Sequence, residues 1–433
     1  MNNSIRRIVV GSFEALRTAW LVLGVTIALF LVLEIGMRIV QKPRADDDAP
    51  PRVMLAGDPR REPWYGEFNR DYDATRGQRW RPYLYFGRNP SYTGRYISID
   101  SAGHRVTPQP TTPATPVARV WFFGGSTMWG TSQRGEHTIA AEAATRLQTL
   151  AGPGKRVEVV NFGETGYVNT QELMQLMLEL RAGHVPDVAV FYDGLNDVAS
   201  TVQYGAPGIP QNEAKRASEF AMGRALDRSS YGQGTRRDLG RLALLTGQAF
   251  QQLAITNWVK GLKPAPQTTY PSADSAARGT VEMYAGNVRL IEALAARYGF
   301  TPIYVWQPNL HTSEKRLDPY EERLRRQIAA SAFHRRIQEV HRVIPPMVDS
   351  AMATIVPRDR FVQDAALFRG DTLPVYTDWL GHNTEISVPR IVDTFWPALS
   401  AATQKAIASH GAVASNASAS SSPALAAARS RPE

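Results

Sequence analysis

The fold of this chain is decided by the stretch Val120-Trp121-Phe122-Phe123-Gly124-Gly125-Ser126-Thr127-Met128-Trp129-Gly130. Its apolar, aromatic-rich start predicts a buried strand, which the glycine pair ends sharply. Glycine lets the backbone turn there, so the next side chain, Ser126, is exposed at the carboxyl end of the strand. Peptide N–H groups beyond such a turn attract negative charge. The position therefore suits a nucleophile, although Gly-Gly-Ser is also an ordinary turn.

Predicted strands and helices alternate on both sides of this stretch. The strands are 119–123, 157–162, 188–192, 302–306 and 360–364, and the helices lie near 137–150, 170–182, 279–298, 318–343 and 385–400. This alternation predicts an α/β fold, a flavodoxin-like three-layer α/β/α domain over 118–400 with a central parallel sheet. A Gly/Pro-rich insertion over 200–275 interrupts it. Ligands of such sheets bind beyond the carboxyl ends of the strands.

Polar clusters follow the strands at that edge. They are Gly124-Gly125-Ser126, then Asn161-Phe162-Gly163-Glu164-Thr165-Gly166-Tyr167, then Asp193-Gly194-Leu195-Asn196-Asp197, and finally Thr377-Asp378-Trp379-Leu380-Gly381-His382-Asn383. A serine, glycine turns with free N–H groups, an amide and an Asp/His pair are the groups that acyl transfer requires. Each cluster alone also fits a turn, a cap or a surface loop.

The order of these clusters resembles the SGNH (GDSL-like) hydrolase superfamily over about 118–400. The resemblance implies that Ser126 is the nucleophile, that His382 exchanges its proton and that Asp378 orients the imidazole. It also implies an oxyanion hole formed by the N–H groups of Ser126 and Gly166 and the side-chain amide of Asn196. Gly166 lies five residues after Asn161, which is the family's spacing.

The chain departs from the family pattern at two points. Gly125 replaces the usual acidic residue before the serine. Asp378 and His382 are four residues apart instead of three, because Gly381 is inserted between them. One turn of helix would bring either spacing together, so the role of Asp378 is the open question. Asp193 and Asp197 are expected to form turns or to support the site, and Gln307-Pro308-Asn309 to line the pocket or simply to end a strand.

The amino-terminal 1–42 carries an apolar run from about 18 to 40, which is long enough for a transmembrane helix. Arg6, Arg7 and Arg17 precede it and favour a cytoplasmic amino terminus. We therefore predict an uncleaved single-pass anchor in the cell (inner) membrane with an extracytoplasmic, periplasmic domain. A cleaved signal peptide and a buried core helix are the alternatives. An irregular cap and linker over 43–117 and a disordered Ala/Ser-rich tail over 401–433 complete the predicted organisation.

The composition of the chain argues against several classes of function. The net charge of +9 is scattered and has no basic stripe interleaved with aromatic residues, so no nucleic-acid partner is expected. The chain has no cysteine, which excludes disulfides and thiolate catalysis. His184 and His311 lack metal-ligand spacing, so no metal and no cofactor are predicted.

These observations predict a membrane-anchored serine esterase or acyltransferase that acts on small, above all acetyl, esters of cell-surface carbohydrate. A lipid esterase or lysophospholipase is the alternative enzyme. A catalytically idle SGNH-like module that binds glycan in an envelope complex is the alternative of another class. Intact Ser126, Asn196 and His382 favour the enzyme, whereas the Asp378/His382 spacing favours the idle module.

Overall fold

The computed structural model describes residues 3–40, 55–113, 115–211, 213, 216–217 and 272–420. The chain divides into two compact units, Met1–Val53 with Ala214–Gln267 and Met54–Glu213 with Thr268–Glu433. In the first unit the structure describes one helix, α1 (Asn3–Val40). Its segment Arg17–Gly36 is long and apolar enough to cross a membrane. Length and composition alone also fit a signal sequence, so α1 is a candidate membrane anchor.

The second unit begins with a small cap, in the part of the chain predicted as irregular. The cap contains helix α2 (Tyr65–Ala74), the antiparallel hairpin β1 (Gln78–Arg81) and β2 (Tyr85–Arg88), and the short antiparallel pair β3 (Tyr92–Thr93) and β4 (Ser98–Ile99). Bridges from Arg105 to Ile99 and to Asn161 connect the cap with the edge of the main sheet.

The main sheet has five strands, all parallel to their neighbours. In chain order they are β5 (Ala118–Gly124), β6 (Val157–Asn161), β7 (Val188–Asp193), β8 (Thr301–Trp306) and β9 (Phe361–Gln363). Their order in the sheet is β6-β5-β7-β8-β9, which is the flavodoxin-like arrangement. The predicted α/β class and parallel sheet are confirmed.

Helices cover both faces of this sheet. They are α3 (Ser126–Trp129), α4 (Ile139–Ala151), α5 (Asn169–Arg181), α6 (Leu195–Tyr204), α7 (Ala273–Tyr298), α8 (Pro319–Ala330), α9 (Ala332–Met352) and α10 (Val388–Ser420). Side chains of β5 alternate between two cores: Val120 and Phe122 enter one, Trp121 and Phe123 the other. Phe122 and Phe123 are fully buried, and burying a side chain of this size is worth about 1.5–3 kcal/mol. The carboxyl end of β5, which positions Ser126, is therefore rigidly supported.

Two boundaries differ from the sequence prediction. The single helix expected over 318–343 is two helices, because Ser331 adopts extended backbone and its hydroxyl accepts the N–H of His334 to cap α9. Helix α10 continues past residue 400 to Ser420, since fully buried Thr403 and the partly buried Ala406 and Ile407 extend its packed face. Most of the predicted insertion over 200–275, and residues 421–433 of the predicted tail, lie outside the described residues.

Candidate active site

Ser126 is the first residue of α3, directly beyond the carboxyl end of β5. The preceding Gly125 is extended, and a Cβ atom there would lie 2.1 Å from the side-chain nitrogen of Asn196. No real Cβ contact is that short, so a larger residue would displace the Asn196 amide. This packing explains why glycine stands directly before Ser126.

The structure brings Ser126, His382 and Asp378 together in one hydrogen-bonded chain. Ser126 Oγ lies 2.7 Å from His382 Nε2, and His382 Nδ1 lies 2.5 Å from Asp378 Oδ2. With the Nδ1 proton donated to the carboxylate, Nε2 is free to accept the serine proton. The His382 residue is only 4% exposed, so water competes little for these bonds.

A tight turn accommodates the four-residue spacing between Asp378 and His382. Gly381 has a φ of +83°, the left-handed region that favours glycine, and its N–H donates to the Asp378 carbonyl at 3.1 Å. The Leu380 N–H donates to Asp378 Oδ1 at 2.9 Å. The sequence suggested a turn of helix, whereas the observed backbone is a non-helical turn. The inserted Gly381 thus leaves Asp378 within reach of the imidazole.

The surroundings of Asp378 favour its ionised form. Burial acts to raise its pKa, but the charge and hydrogen bonds of His382 and the N–H of Leu380 outweigh burial, so the pKa lies below its usual value. An ionised carboxylate holds the Nδ1 proton in place and stabilises an imidazolium.

The three expected oxyanion donors line the same cavity as His382. Gly166 has a φ of +80°, and the Asn196 amide is held by a 2.8 Å bond from its nitrogen to the Tyr167 carbonyl. Ser126 begins a helix, where N–H groups have no intrahelical acceptor. The arrangement can present three donors to a developing oxyanion. Their catalytic role stays a prediction.

Buried carboxylates support the start of α6, which carries Asn196. Asp197 accepts the N–H of Gly194 at 3.2 Å and that of Asn169 at 3.0 Å, and Asp193 accepts the side-chain nitrogen of Asn169 at 2.9 Å. Glu172 lies buried in the same cluster and hydrogen-bonds to Asp193. Burial, with the charge of neighbouring carboxylates, raises the pKa of Glu172 and of Asp193. Asp193 and Asp197 thus fix the loop that positions Asn196.

Two contacts connect the serine loop, residues 126–134, with the histidine loop, residues 378–385. Gln133 Nε2 donates to the Asn383 carbonyl at 3.0 Å, and Arg134 forms a salt bridge with Glu385 at 2.6 Å. Buried Arg105 clamps the serine loop from the cap by donating to the carbonyls of Trp129, Gly130 and Gln133. Burial, followed by the charge of Arg88, lowers the pKa of Arg105 to about 9.

The cavity around Ser126 has a volume of about 320 Å³. The cap contributes Tyr72, Gln78 and Phe86 to its wall. The cap itself is anchored by Arg88, which bonds both carboxylate oxygens of Glu164 at 3.0 and 3.1 Å. Sequence reasoning did not identify these cap residues, because they reach the site only through tertiary packing.

The opposite wall contains further residues that sequence reasoning missed. They are Phe333, His334, Ile337, Trp379 and Leu380. His311 also lines the cavity, whereas Gln307 and Asn309 are buried outside its lining. Among the described residues, no group of three His, Cys, Asp or Glu side chains is placed to hold a metal ion.

Comparison with known proteins finds no matching family model and no matching curated protein. The structure is similar to the acetyl xylan esterase AlAXEase, with a TM-score of 0.34 and 10% identity over 65% of this chain and 98% of that one. A carbohydrate acetylesterase family member from Sinorhizobium meliloti gives a TM-score of 0.35 and 11% identity over 66% and 99%. A protein described as lipolytic and of the G-D-S-L family, from Desulfitobacterium hafniense, gives 0.27 and 11% over 57% and 75%. Scores and identities this low carry no conclusion about activity, which has to be inferred from the site.

Proposed function

We propose that this chain is a serine esterase or O-acyltransferase of the SGNH type that works through an acyl-enzyme. One observation carries the proposal: the unbroken hydrogen-bonded chain from Ser126 Oγ through His382 to Asp378 in a cavity open to substrate. Nucleophile, base and orienting acid at hydrogen-bond distance form the constellation that activates a serine hydroxyl. An idle module would have no need to retain it.

The reaction follows from these contacts. Ser126 Oγ attacks the ester carbonyl carbon while its proton passes to His382 Nε2, and the carbonyl oxygen takes up negative charge facing Ser126 N, Gly166 N and Asn196 Nδ2. The bond between carbonyl carbon and alcohol oxygen then breaks, and Nε2 returns the proton to the leaving alcohol. Water, or a hydroxyl of an acceptor, repeats the sequence on the acyl-enzyme and frees the serine. Each oxyanion donor is worth about 3–4 kcal/mol in the barrier.

We infer small acyl esters of carbohydrate, acetyl above all, as the substrates. A cavity of about 320 Å³ is at the small end for ligand sites, which favours a short acyl group over a lipid chain. Its wall combines aromatic rings with polar side chains, as the alternating apolar and hydroxylated surface of a sugar requires. Acetyl, butyryl and octanoyl esters of one alcohol test this inference; a rate that rises with chain length would instead favour the lipid esterase.

We also propose that α1 anchors the protein in the inner membrane, with the catalytic unit outside the cytoplasm. The span Arg17–Gly36 and the preceding Arg6 and Arg7 support this orientation. A phosphatase reporter fused after residue 60 is expected to be exported and active. Activity of a cytoplasmic reporter at the same point would overturn the location and the cell-surface substrate.

The activity itself is tested on the full chain in detergent with a fluorophosphonate probe and an acetyl ester. We expect the probe to label Ser126 and the ester to be cleaved, and both to be lost in His382→Ala. His137→Ala is the matched control, because His137 is half-exposed and makes only long ion-pair contacts. Absence of both labelling and turnover in the folded wild-type protein would leave only the fold.

A further inference from the structure

His334 forms part of the cavity wall opposite the cap and contacts the catalytic loop. Its ring lies edge-on to Trp379 at a centroid distance of 4.3 Å, and Trp379 directly follows Asp378. Phe333, 40% exposed, packs against the same ring at 5.3 Å. One face of the cavity next to the catalytic chain is therefore an imidazole framed by two aromatic rings.

The hydrogen-bonding capacity of the His334 imidazole is unused among the described residues, although its ring is packed against aromatic neighbours. The residue is 8% exposed, yet neither ring nitrogen makes a hydrogen bond within the described part of the chain, and Nδ1 is fully buried. An unsatisfied buried polar atom costs about 1–3 kcal/mol, and native proteins leave few of them unless a ligand or water supplies the partner. The unpaired imidazole therefore leaves hydrogen bonds that a ligand or a water in the cavity could make.

The surroundings of His334 keep the ring uncharged. It stacks on His311 at 5.6 Å, and His311 stacks on His341 at 5.9 Å. Burial lowers the pKa of His334, and burial together with the neighbouring histidines lowers that of His311 to about 2. A neutral imidazole has one donor and one acceptor nitrogen, which matches a hydroxyl group, itself donor and acceptor.

We propose that His334 and Trp379 form a subsite for the sugar that carries the ester. In this subsite the imidazole bonds a ring hydroxyl, and the indole packs on the apolar C–H face of the sugar. The proposal rests on the esterase function above and specifies which part of the substrate the far wall recognises. It makes His334 a residue that positions the alcohol portion, beside the leaving oxygen that receives the proton from His382.

The test compares two acetates of primary alcohols with the same reacting atoms, methyl 6-O-acetyl-glucopyranoside and cyclohexylmethyl acetate, of which only the first has ring hydroxyl groups, a ring oxygen and a methoxy group. The wild-type full chain is expected to prefer the glucoside by about tenfold or more in kcat/KM. His334→Phe keeps the ring and removes its hydrogen bonds, so this preference is expected to shrink by about tenfold, chiefly through KM. His334→Gln retains a donor and an acceptor and is expected to restore part of it.

His341→Phe is the matched control. His341 lies on the same helix, is 2% exposed and stacks in the same column of rings, but does not line the cavity. We expect it to alter thermal stability and to leave the ratio between the two substrates unchanged. A ratio that changes equally in both variants, or a wild type without preference, would overturn the subsite. Turnover of 4-nitrophenyl acetate alone would keep the esterase and remove the subsite, whereas turnover of no ester would remove the esterase itself.

Discussion

Carboxyl groups at two places in this molecule behave in opposite ways. Asp378, beside His382 and partly exposed, is fully engaged in hydrogen bonds, and its pKa is lowered. In the cluster that supports the start of α6, buried Glu172 and Asp193 hydrogen-bond to each other, a contact that needs a shared proton. Burial and neighbouring negative charge raise the pKa of both.

The pKa values shift in opposite directions because different groups surround the carboxyl groups at the two places. A ring that can become cationic and two backbone N–H groups stabilise the charge of Asp378, whereas the carboxylates of the cluster have mainly one another. A carboxylate held ionised can stabilise an imidazolium during a reaction. A buried carboxyl group held protonated contributes to stability in a way that depends on pH.

The largest loss of activity is expected when Ser126 or His382 is removed from the proposed catalytic triad. Ser126→Ala and His382→Ala should each lower kcat by about 10⁴-fold or more, since neither group attacks alone. The double variant should be little worse than either single one, because the two residues act as a unit. Steady-state rates on an acetyl ester measure this, and additive losses in the double variant would refute the shared role.

Asp378→Ala should have a smaller effect of about 10³-fold on kcat, because the imidazole keeps its contact with Ser126 but loses the acceptor that fixes its tautomer. Thermal unfolding verifies that the 378–382 turn survives. No loss of kcat would show that Asp378 does not act through His382.

Asn196→Ala should lower kcat by about a hundredfold with little change in KM, since the amide is needed only as charge develops. Asn287→Ala serves as the control, because Asn287 bonds the Thr170 hydroxyl at 3.1 Å outside the cavity lining. Unchanged turnover in a folded Asn196→Ala would reduce Asn196 to a structural residue that supports the Tyr167 carbonyl.

The smallest effect is expected in the carboxylate cluster and concerns stability. The raised pKa of Glu172 means that the folded state holds a proton which the unfolded state releases. Its contribution is therefore favourable below the unfolded pKa and is lost as pH rises towards the folded value. Glu172→Gln should remove part of this loss and raise the free energy of unfolding by about 1 kcal/mol at pH 8 relative to the wild type.

Urea unfolding of the same two proteins at pH 5 and pH 8 measures the effect, and the gain should be smaller at pH 5. Equal gains at both values would mean that Glu172 is not protonated in the fold.

Some features of the candidate site could be predicted from the sequence, and others could not. The sequence identifies Ser126 and Asn196 because each follows a predicted strand, and His382 because it belongs to the polar cluster 377–383. The carboxyl ends of parallel strands share one edge of the sheet, which predicts that these loops meet there. The backbone turn at Gly381 could not be predicted, because the four-residue spacing between Asp378 and His382 fits both a turn of helix and a turn with a glycine in the left-handed region. Nor could His334, since its helix was expected to continue unbroken from 318 and its contact with Trp379 is purely tertiary.

The contacts between the serine loop and the histidine loop have a consequence for biosynthesis. Gln133 meets Asn383, and Arg134 meets Glu385, across about 250 positions of sequence. A chain growing from its amino terminus exposes Ser126 long before His382 leaves the ribosome. Until then the serine has no base and is as inert as any hydroxyl in water. With the proposed mechanism, chemical competence is acquired only when the last quarter of the domain has been made, and a truncated product would carry the proposed nucleophile without the base needed to form an acyl-enzyme.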